Sequence, residues 1–525
     1  MSTKTKTNAL DRFFGYTAKG SSLRTEIMAG LTTFFAMAYI LMVNAGMFAH
    51  PFASGADLGP NVLGVSYNAI YIATAISAVV GTLAIGLLAN LPLAQASGMG
   101  LNAFFVYTCV VGLGMTYANA LLLVLFDGLL FIVLTVTGLR KKIFTAIPAV
   151  VRAAIPAGIG LFIAFLGLQN AGIVVADAST GVTLGSFNLL NKTWGSIMPM
   201  AVTICAVLAI AIMSHRKVKG AVFIGLLGGA AAYYLLGYVT VPGFHDAAVA
   251  PIVTKMVSPI AAFGEFFDQA FAKVFTQGLD FTAYINGPVT NAQAALTAAQ
   301  AALADGTGTA EAVAAAEAAL AAAAPHTTAN LILTIATTTL AFCMVDMFDT
   351  IGTLFGACAR GNMLTEKGEI PNMNKAMLAD AIATTTGAVC GTSTVTTFVE
   401  SASGVAEGGR TGMAAMVTAA LFFIAMFLSP VAQLIPGCAT AAALIYVGVL
   451  MMAGVKNLDW EDPAEAVPAF LTLAMMPFSY NISYGICFGL ISHIIIKVCT
   501  RKAREVRVGT WVIAALFLAM LLLTH

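Results

Sequence analysis

Charge is the scarcest property of this chain. Asp, Glu, Lys and Arg make up 9% of its 525 residues, against roughly 25% in an ordinary soluble domain. With 59% of the residues hydrophobic, no aqueous fold hides that much apolar surface. A cationic domain is also missing. The formal net charge is +1, so the electrostatic footprint of a nucleic-acid binder is absent and no nucleic-acid partner is expected. The eight cysteines (Cys109, Cys205, Cys343, Cys358, Cys390, Cys438, Cys487 and Cys499) are scattered without a CxxC pair, and the six histidines form no cluster at metal-ligand spacing. The cysteines read as small apolar packing residues, and neither a metal site nor a cofactor is expected. There is no pairing of nucleophile with base and no phosphate-cradling loop, which leaves a membrane-embedded enzyme without catalytic residues. The chain is polar as far as Arg24, and its first apolar run lacks a convincing cleavage site, which argues against a removed signal peptide.

What the chain has in abundance is apolar runs close to the roughly 20 residues a helix needs to cross the hydrocarbon core. Between polar breaks they predict helices near 26–48, 67–89, 92–114, 117–138, 152–172, 196–214 and 218–238, then near 329–357, 376–391, 393–408, 412–434, 438–456, 464–479 and 482–499. The fold class is therefore an all-α polytopic membrane protein of about fourteen transmembrane helices. With the N-terminus in the cytoplasm, all but three of the 25 Lys and Arg residues fall inside, leaving Lys192, Lys255 and Lys273 outside. This is the pattern of the positive-inside rule. The apolar run Thr510 to Thr524 is either a fifteenth span or an interfacial helix.

Two sets of seven spans have opposite topology. The expected plan is a cytoplasmic tail (1–25), a first seven-helix repeat (26–240), an extracytoplasmic loop (241–328), a second, inverted repeat (329–500) and a basic segment with a C-terminal apolar run (501–525). Inverted repeats are a common plan of secondary transporters, with the site at the repeat interface. Within the loop, Gln293 to Ala324 is Ala-rich and broken by Asp305-Gly306-Thr307-Gly308. It predicts a short helical hairpin, either a lid or a tolerated insertion.

Two segments are unsuited to plain membrane helices. In helix three, Pro92 is followed by Gln95-Ala-Ser-Gly-Met-Gly-Leu-Asn-Ala-Phe-Phe105; in helix ten the run is Gly391-Thr-Ser-Thr-Val-Thr-Thr-Phe-Val-Glu-Ser-Ala-Ser-Gly404. Paired interruptions in corresponding positions of two halves point to a transporter's binding site. The alternative is a seam of small residues packing helix on helix. Supporting roles fall to Gly98, Gly100, Asn102, Thr397 and Ser401, and to Asn44. For Asn44 and Asn102, a structural amide that ties broken backbone stands beside ligand contact.

Acidic residues inside the membrane are the sharper signal, since each costs at least about 2.5 kcal/mol at a helix centre. The candidates are Asp127, Asp346, Asp349, Asp380, Glu400 and Glu407, with no Lys or Arg in the same spans. Asp380 and Glu407 lie near helix ends and read as caps or boundary residues; Asp127 and Asp346 fit a structural or a functional role equally. Low dielectric disfavours an ionised carboxylate, so Asp349 and Glu400 are suited to exchanging protons and to accepting hydrogen bonds from a ligand. A heteroaromatic ligand with ring N–H groups would suit two such acceptors and an aromatic wall, for which Phe104, Phe105 and Phe348 are available, although any one of them reads first as a lipid-facing or core residue.

At these residues the chain resembles the adenine/guanine/hypoxanthine permease branch of the nucleobase–cation symporter families. The likeness is carried by Leu10-Asp-Arg-Phe-Phe, by Arg24-Thr-Glu-Ile-Met-Ala-Gly-Leu-Thr-Thr-Phe-Phe-Ala-Met-Ala-Tyr-Ile-Leu-Met-Val-Asn44 and by Ser97-Gly-Met-Gly-Leu-Asn-Ala-Phe104. It continues through Asp346-Met-Phe-Asp-Thr-Ile-Gly-Thr353 and the helix-ten run, and covers nearly the whole chain outside the Ala-rich insertion. The resemblance implies two inverted sevens divided into a core (helices one to four and eight to eleven) and a gate (five to seven and twelve to fourteen). It implies substrate contacts at Asp349, Glu400, Phe104, Ala103, Phe348 and Thr353, with Asp349 and Glu400 coupling transport to protons. In uracil and xanthine permease relatives the helix-eight acid is Glu, and some carry His at the position of Thr353; the long outer insertion is a further departure. The expected function is proton-coupled import of purine nucleobases across the cell membrane, not an enzymatic reaction. The expected partners are a purine base, a proton and the lipid bilayer, with a homodimer left open. The competing transport function is anion exchange on the same architecture, for which Asp349 and Glu400 have the wrong sign.

Overall fold

A computed structural model describes residues 9–52, 61–139, 146–177, 179–190, 192–254, 256–305, 307–366 and 369–524. Of the basic residues used for orientation, Lys4, Lys6, Arg140, Lys141, Lys142, Lys255 and Lys367 lie outside that set, as does Gly306 of the break in the Ala-rich segment.

The first half of the chain forms α1 (Leu23–Ala49), α2 (Tyr67–Ala89), strand β1 (Gln95–Ser97), α3 (Met99–Gly112), α4 (Tyr117–Thr137) and α5 (Ala149–Asn170). A hairpin of β2 (Val174–Asp177) and β3 (Gly181–Leu184) follows, then α6 (Trp194–His215) and α7 (Ala221–Thr240). The second half forms α8 (Thr328–Arg360), α9 (Met373–Cys390), β4 (Val395–Thr397), α10 (Ser401–Ala406) and α11 (Gly412–Ala432). It ends with α12 (Gly437–Lys456), α13 (Pro463–Phe478), α14 (Ile482–Cys499) and α15 (Val508–Thr524). Ten helices among the described residues are long and apolar enough to cross a membrane, so the chain is a multi-pass membrane protein. The remaining apolar helices are shorter, and α15 lies against α8 and α14.

Local sequence accounts for where the helices start and stop. Thr116 opens α4 with a capping box, its side chain accepting from the Asn119 N–H while Asn119 accepts from the Thr116 N–H. Gly138 ends the same helix in the left-handed region. Ser66, Thr327 and Asn481 cap α2, α8 and α14 through their side chains. Small residues then let helix backbones touch. A Cβ on Gly448 of α12 would lie 2.4 Å from the Gly160 carbonyl oxygen of α5, and one on Gly412 of α11 would lie 2.0 Å from that of Gly86 in α2.

Between α7 and α8 the chain forms Pro259–Gln269, Thr282–Ala304 and Ala310–Ala322, all helical. The Ala-rich hairpin is present, and its first helix begins earlier than composition indicates, at Thr282. The segment ahead of the hairpin is docked firmly. The Glu265 carboxylate accepts from Ser66 Oγ at 2.6 Å and Asn68 Nδ2 at 3.1 Å. Asn119 Nδ2 donates to the Gly278 and Asp280 carbonyls. By contrast, Ala310–Ala322 contains no buried residue. The β2–β3 hairpin adds two strands of four residues between α5 and α6, too short for their pattern to mark them in the sequence.

The α5–α12 contact gives a direct test. Gly448→Val must push apart two backbones that have no flexible side chain between them, and overpacking of this kind costs about 1 to 3 kcal/mol. Gly356→Ala, where an added Cβ meets nothing within 4 Å, is the control. Thermal unfolding of the detergent-purified protein should show a lower midpoint for Gly448→Val alone.

Candidate functional site

The two interrupted segments meet in the middle of the molecule. β1 and β4 pair antiparallel, with Gln95 opposite Thr397, Ala96 opposite Thr396 and Ser97 opposite Val395. The ladder is extended at both ends by Gly98 N–H to the Thr394 carbonyl at 3.0 Å and Phe398 N–H to the Ala94 carbonyl at 3.1 Å. Backbone that leaves the helical form at membrane depth must find partners inside the protein, and each strand supplies them to the other. Side chains complete the splice. Ser401 Oγ accepts from Ala94 N–H at 3.0 Å, and Ser97 Oγ donates to Asn102 Oδ1 at 2.7 Å. Asn44 Nδ2 donates to Thr74 Oγ1 and Thr392 Oγ1 at 2.7 and 3.0 Å. Asn44 and Asn102 thus hold hydroxyl groups next to the broken backbone, and Asn44 Oδ1 has no hydrogen-bond partner among the described residues.

The glycines here are spaces. A Cβ on Gly98 would come within 2.7 Å of Thr396 Cγ2, and one on Gly100 within 2.3 Å of Ile159 Cγ2 on α5. Gly391, at φ +96°, turns the chain out of α9 toward β4, and its carbonyl accepts from the Tyr117 hydroxyl.

Beside this crossing lies a cavity of about 580 Å³ between α8 and α10 on one side and α5, α7 and α12 on the other. Its walls include Phe348, Asp349, Thr353, Val399, Glu400 and Tyr446, and Ser214, Val218 and Arg360 also line it. Asp349 and Glu400 are therefore brought to one space. Glu400 Oε1 accepts from the Tyr39 hydroxyl at 2.7 Å. Tyr39 is fully buried, so this contact fixes one carboxylate oxygen from behind. Among the described residues, the Asp349 side chain has no hydrogen bond or ion pair; its charged neighbours are the acids Glu400, Asp346 and Asp380.

Other expected positions lie elsewhere. Phe104 and Ala103 are fully buried and do not line the cavity. The Phe104 ring packs edge-on to Phe342 at 4.7 Å, and Phe105 stacks on Phe48 at 4.9 Å. Of the three Phe residues, Phe348 alone supplies cavity wall. Asp380 is not the cap or boundary residue expected from its place near a helix end. It is fully buried, accepting from Gln95 Nε2 at 2.8 Å and Thr350 Oγ1 at 2.9 Å. It thereby ties α9 to β1 and α8. Glu407 does lie at a helix end, ion-paired with Lys219 at 2.6 Å across to the α6–α7 turn. Three participants escaped sequence reasoning: Tyr39, Gln95 as the ligand of Asp380, and Thr350. Gln95 was the one with a signal, an amide inside an apolar run.

This geometry can be set beside known proteins. The permease family model, that of xanthine and uracil permeases, matches residues 24–488. A guanine/hypoxanthine permease of Bacillus subtilis is 36% identical over 507 residues, covering 95% of this chain and 98% of the relative. An adenine permease of Escherichia coli is 33% identical over 519 residues, covering 99% and 97%. Among solved structures, murine Solute Carrier 26 family member A9, an anion transporter, superposes with a TM-score of 0.54 at 10% identity, covering 95% of this chain and 73% of that one. The transmembrane domain of a cyanobacterial bicarbonate transporter gives 0.50 at 15% identity, covering 90% and 96%. At those identities the likeness is one of fold. The family match over residues 24–488 and the relatives at 33 and 36% identity lead to one conclusion: the chain belongs to the xanthine/uracil permease family, a transporter and not an enzyme.

Proposed function

We propose that the protein is a proton-coupled symporter that imports purine nucleobases, with Asp349 and Glu400 at the substrate. The observation that carries this reading is the convergence of two carboxylates, without any Lys or Arg paired to them, on a cavity walled by Phe348, Val399 and Tyr446. Acceptors in an apolar slot suit a flat heteroaromatic ring with N–H donors and disfavour an anion. Relatives named for adenine and for guanine/hypoxanthine support the same class of substrate.

Fourteen helices in two inverted sevens are part of this proposal. Contacts that exchange between the halves support it: α2 packs on α11 as α9 packs on α4, α1 on α11 as α8 on α4, and α6 on α12 as α13 on α5. A core of α1–α4 and α8–α11 and a gate of α5–α7 and α12–α14 then meet at the cavity. The cavity reaches Val218, Gly220 and Arg360, beside the basic turn that carries Lys219. With the N-terminus in the cytoplasm of a cell-membrane protein, that end is cytoplasmic and the conformation is open to the inside.

Uptake of a labelled purine panel into transporter-deficient cells, with and without a protonophore, tests the function. Concentrative uptake of at least one purine that collapses with protonophore is expected; uptake of sulfate or bicarbonate in place of purines would overturn the reading.

Each carboxylate has its own prediction. Glu400→Ala would remove an acceptor for ligand N–H groups, at about 1 to 3 kcal/mol, and calorimetry should show correspondingly weaker purine binding. Unchanged affinity would move the site elsewhere. Asp349→Asn mimics a neutral acid. A bare carboxylate resists crossing a closed apolar seam, so the variant should still exchange purine between pre-loaded vesicles and lose accumulation driven by an imposed pH gradient. Retained accumulation with the same pH dependence would transfer the coupling role to Glu400.

A further inference from the structure

Behind the crossing, away from the cavity wall, the core holds three more carboxylates. Asp127 on α4, Asp346 on α8 and Asp380 on α9 are each fully buried. Each has hydroxyl or amide neighbours and no cation. Thr394 Oγ1 donates to Asp127 Oδ2 and Thr384 Oγ1 to Asp346 Oδ2, both at 3.3 Å. Asp380 takes Gln95 and Thr350. The titratable groups facing the cluster from the packed elements are Cys343, beside Asp127 and Asp346, and the cavity acid Asp349. All are acids or a thiol, and the described ion pairs, such as Lys219–Glu407, involve none of them.

The hydrogen-bond inventory is short of donors. Asp127 Oδ1 and Asp346 Oδ1 have no hydrogen-bond partner, and neither has Gln95 Oε1, although the same amide aims its Nε2 at Asp380. Buried acceptors left unmatched are costly, and an ionised carboxylate in an apolar interior neutralises before it bears the charge unpaired. A proton removes the unpaired charge and turns one carboxylate oxygen into an O–H donor in a cluster short of donors. A metal ion does not fit as well: among the described residues no group of three His, Cys, Asp or Glu side chains could hold one.

We propose that Asp127, Asp346 and Asp380 form a proton-binding site in the core, separate from the substrate cavity and connected to it through Thr350. Thr350 follows the cavity residue Asp349 in the chain, donates to Asp380 Oδ2 at 2.9 Å and lies 2.6 Å from Thr396 Oγ1 of β4. Loading forms one O–H bond on a carboxylate oxygen with a proton from cavity water, and unloading returns that proton to water. Loading would therefore alter the hydrogen bonds that hold the two strands. The consequence for transport rests on the proton-coupled reading above, whereas the site itself does not.

The test is infrared difference spectroscopy on the full-length protein in liposomes, comparing high and low pH and reading the C=O band of protonated carboxyls. Parent protein should show a pH-responsive carboxyl band that persists in Asp349→Asn and is reduced in Asp127→Asn, Asp346→Asn and Asp380→Asn, with the thermal unfolding midpoint of each purified variant confirming that it is folded. Should an Asn variant fail to fold, Thr394→Val and Thr384→Val keep the acids and alter their hydrogen bonds. They should shift the band. A spectrum unchanged in all five core variants overturns the proposal. Parent protein with the core band but without pH-driven purine uptake would support the site and overturn the coupled-transport reading alone.

Discussion

The crossing of β1 and β4 is the constraint on which the rest of the molecule depends. Two stretches of three residues leave the helical form at the depth where water cannot satisfy a peptide group, and each can do so because the other is there. Everything near the cavity follows from that pairing. It ends one helix and starts another on both sides, so α3 and α10 begin inside the protein and Glu400 stands immediately ahead of α10. It also brings Gln95 to Asp380 and Ser401 to Ala94, joining α9 and the two short helices into one unit.

Much of this was legible in the sequence, for identifiable reasons. Membrane helices announce themselves by length and apolarity, and Gly412–Ala432 or Ile482–Cys499 lies within a few residues of where polar breaks put it. The weakness of the segments around Gly98 and Thr394 was legible too, because glycine pairs and β-branched polar runs are poor helix formers. Their pairing was not. A three-residue strand has no periodicity to detect, and the partner of Gln95 lies in the other half of the chain. Asp380 misled for a related reason: it lies near the expected start of its helix, yet α9 is packed on α2 and α4 and is largely enclosed from Ala376 onward.

Side-chain direction was the other illegible element. Phe104 and Phe348 both sit beside recognisable motifs, and nothing in composition separates them. The structure turns Phe104 onto Phe342 and leaves Phe348 on the cavity. Tyr39 looked like one more aromatic in an apolar run, but its hydroxyl is what holds Glu400. Residues that hold a functional group from behind belong to whatever element the fold delivers, and spacing along one helix does not reveal them.

The distance along the chain between the two strands bears on how the protein is made. Gln95 and Thr397, joined side chain to side chain, are 302 residues apart. During synthesis the first half reaches the bilayer with Gln95, Ser97 and the β1 backbone still without their mates, and it must wait until the ribosome has delivered the second half as far as β4. Contacts this remote close slowly. The first seven helices are accordingly not a self-sufficient folding unit, and the insertion machinery has to shelter an unfinished α3 until β4 arrives.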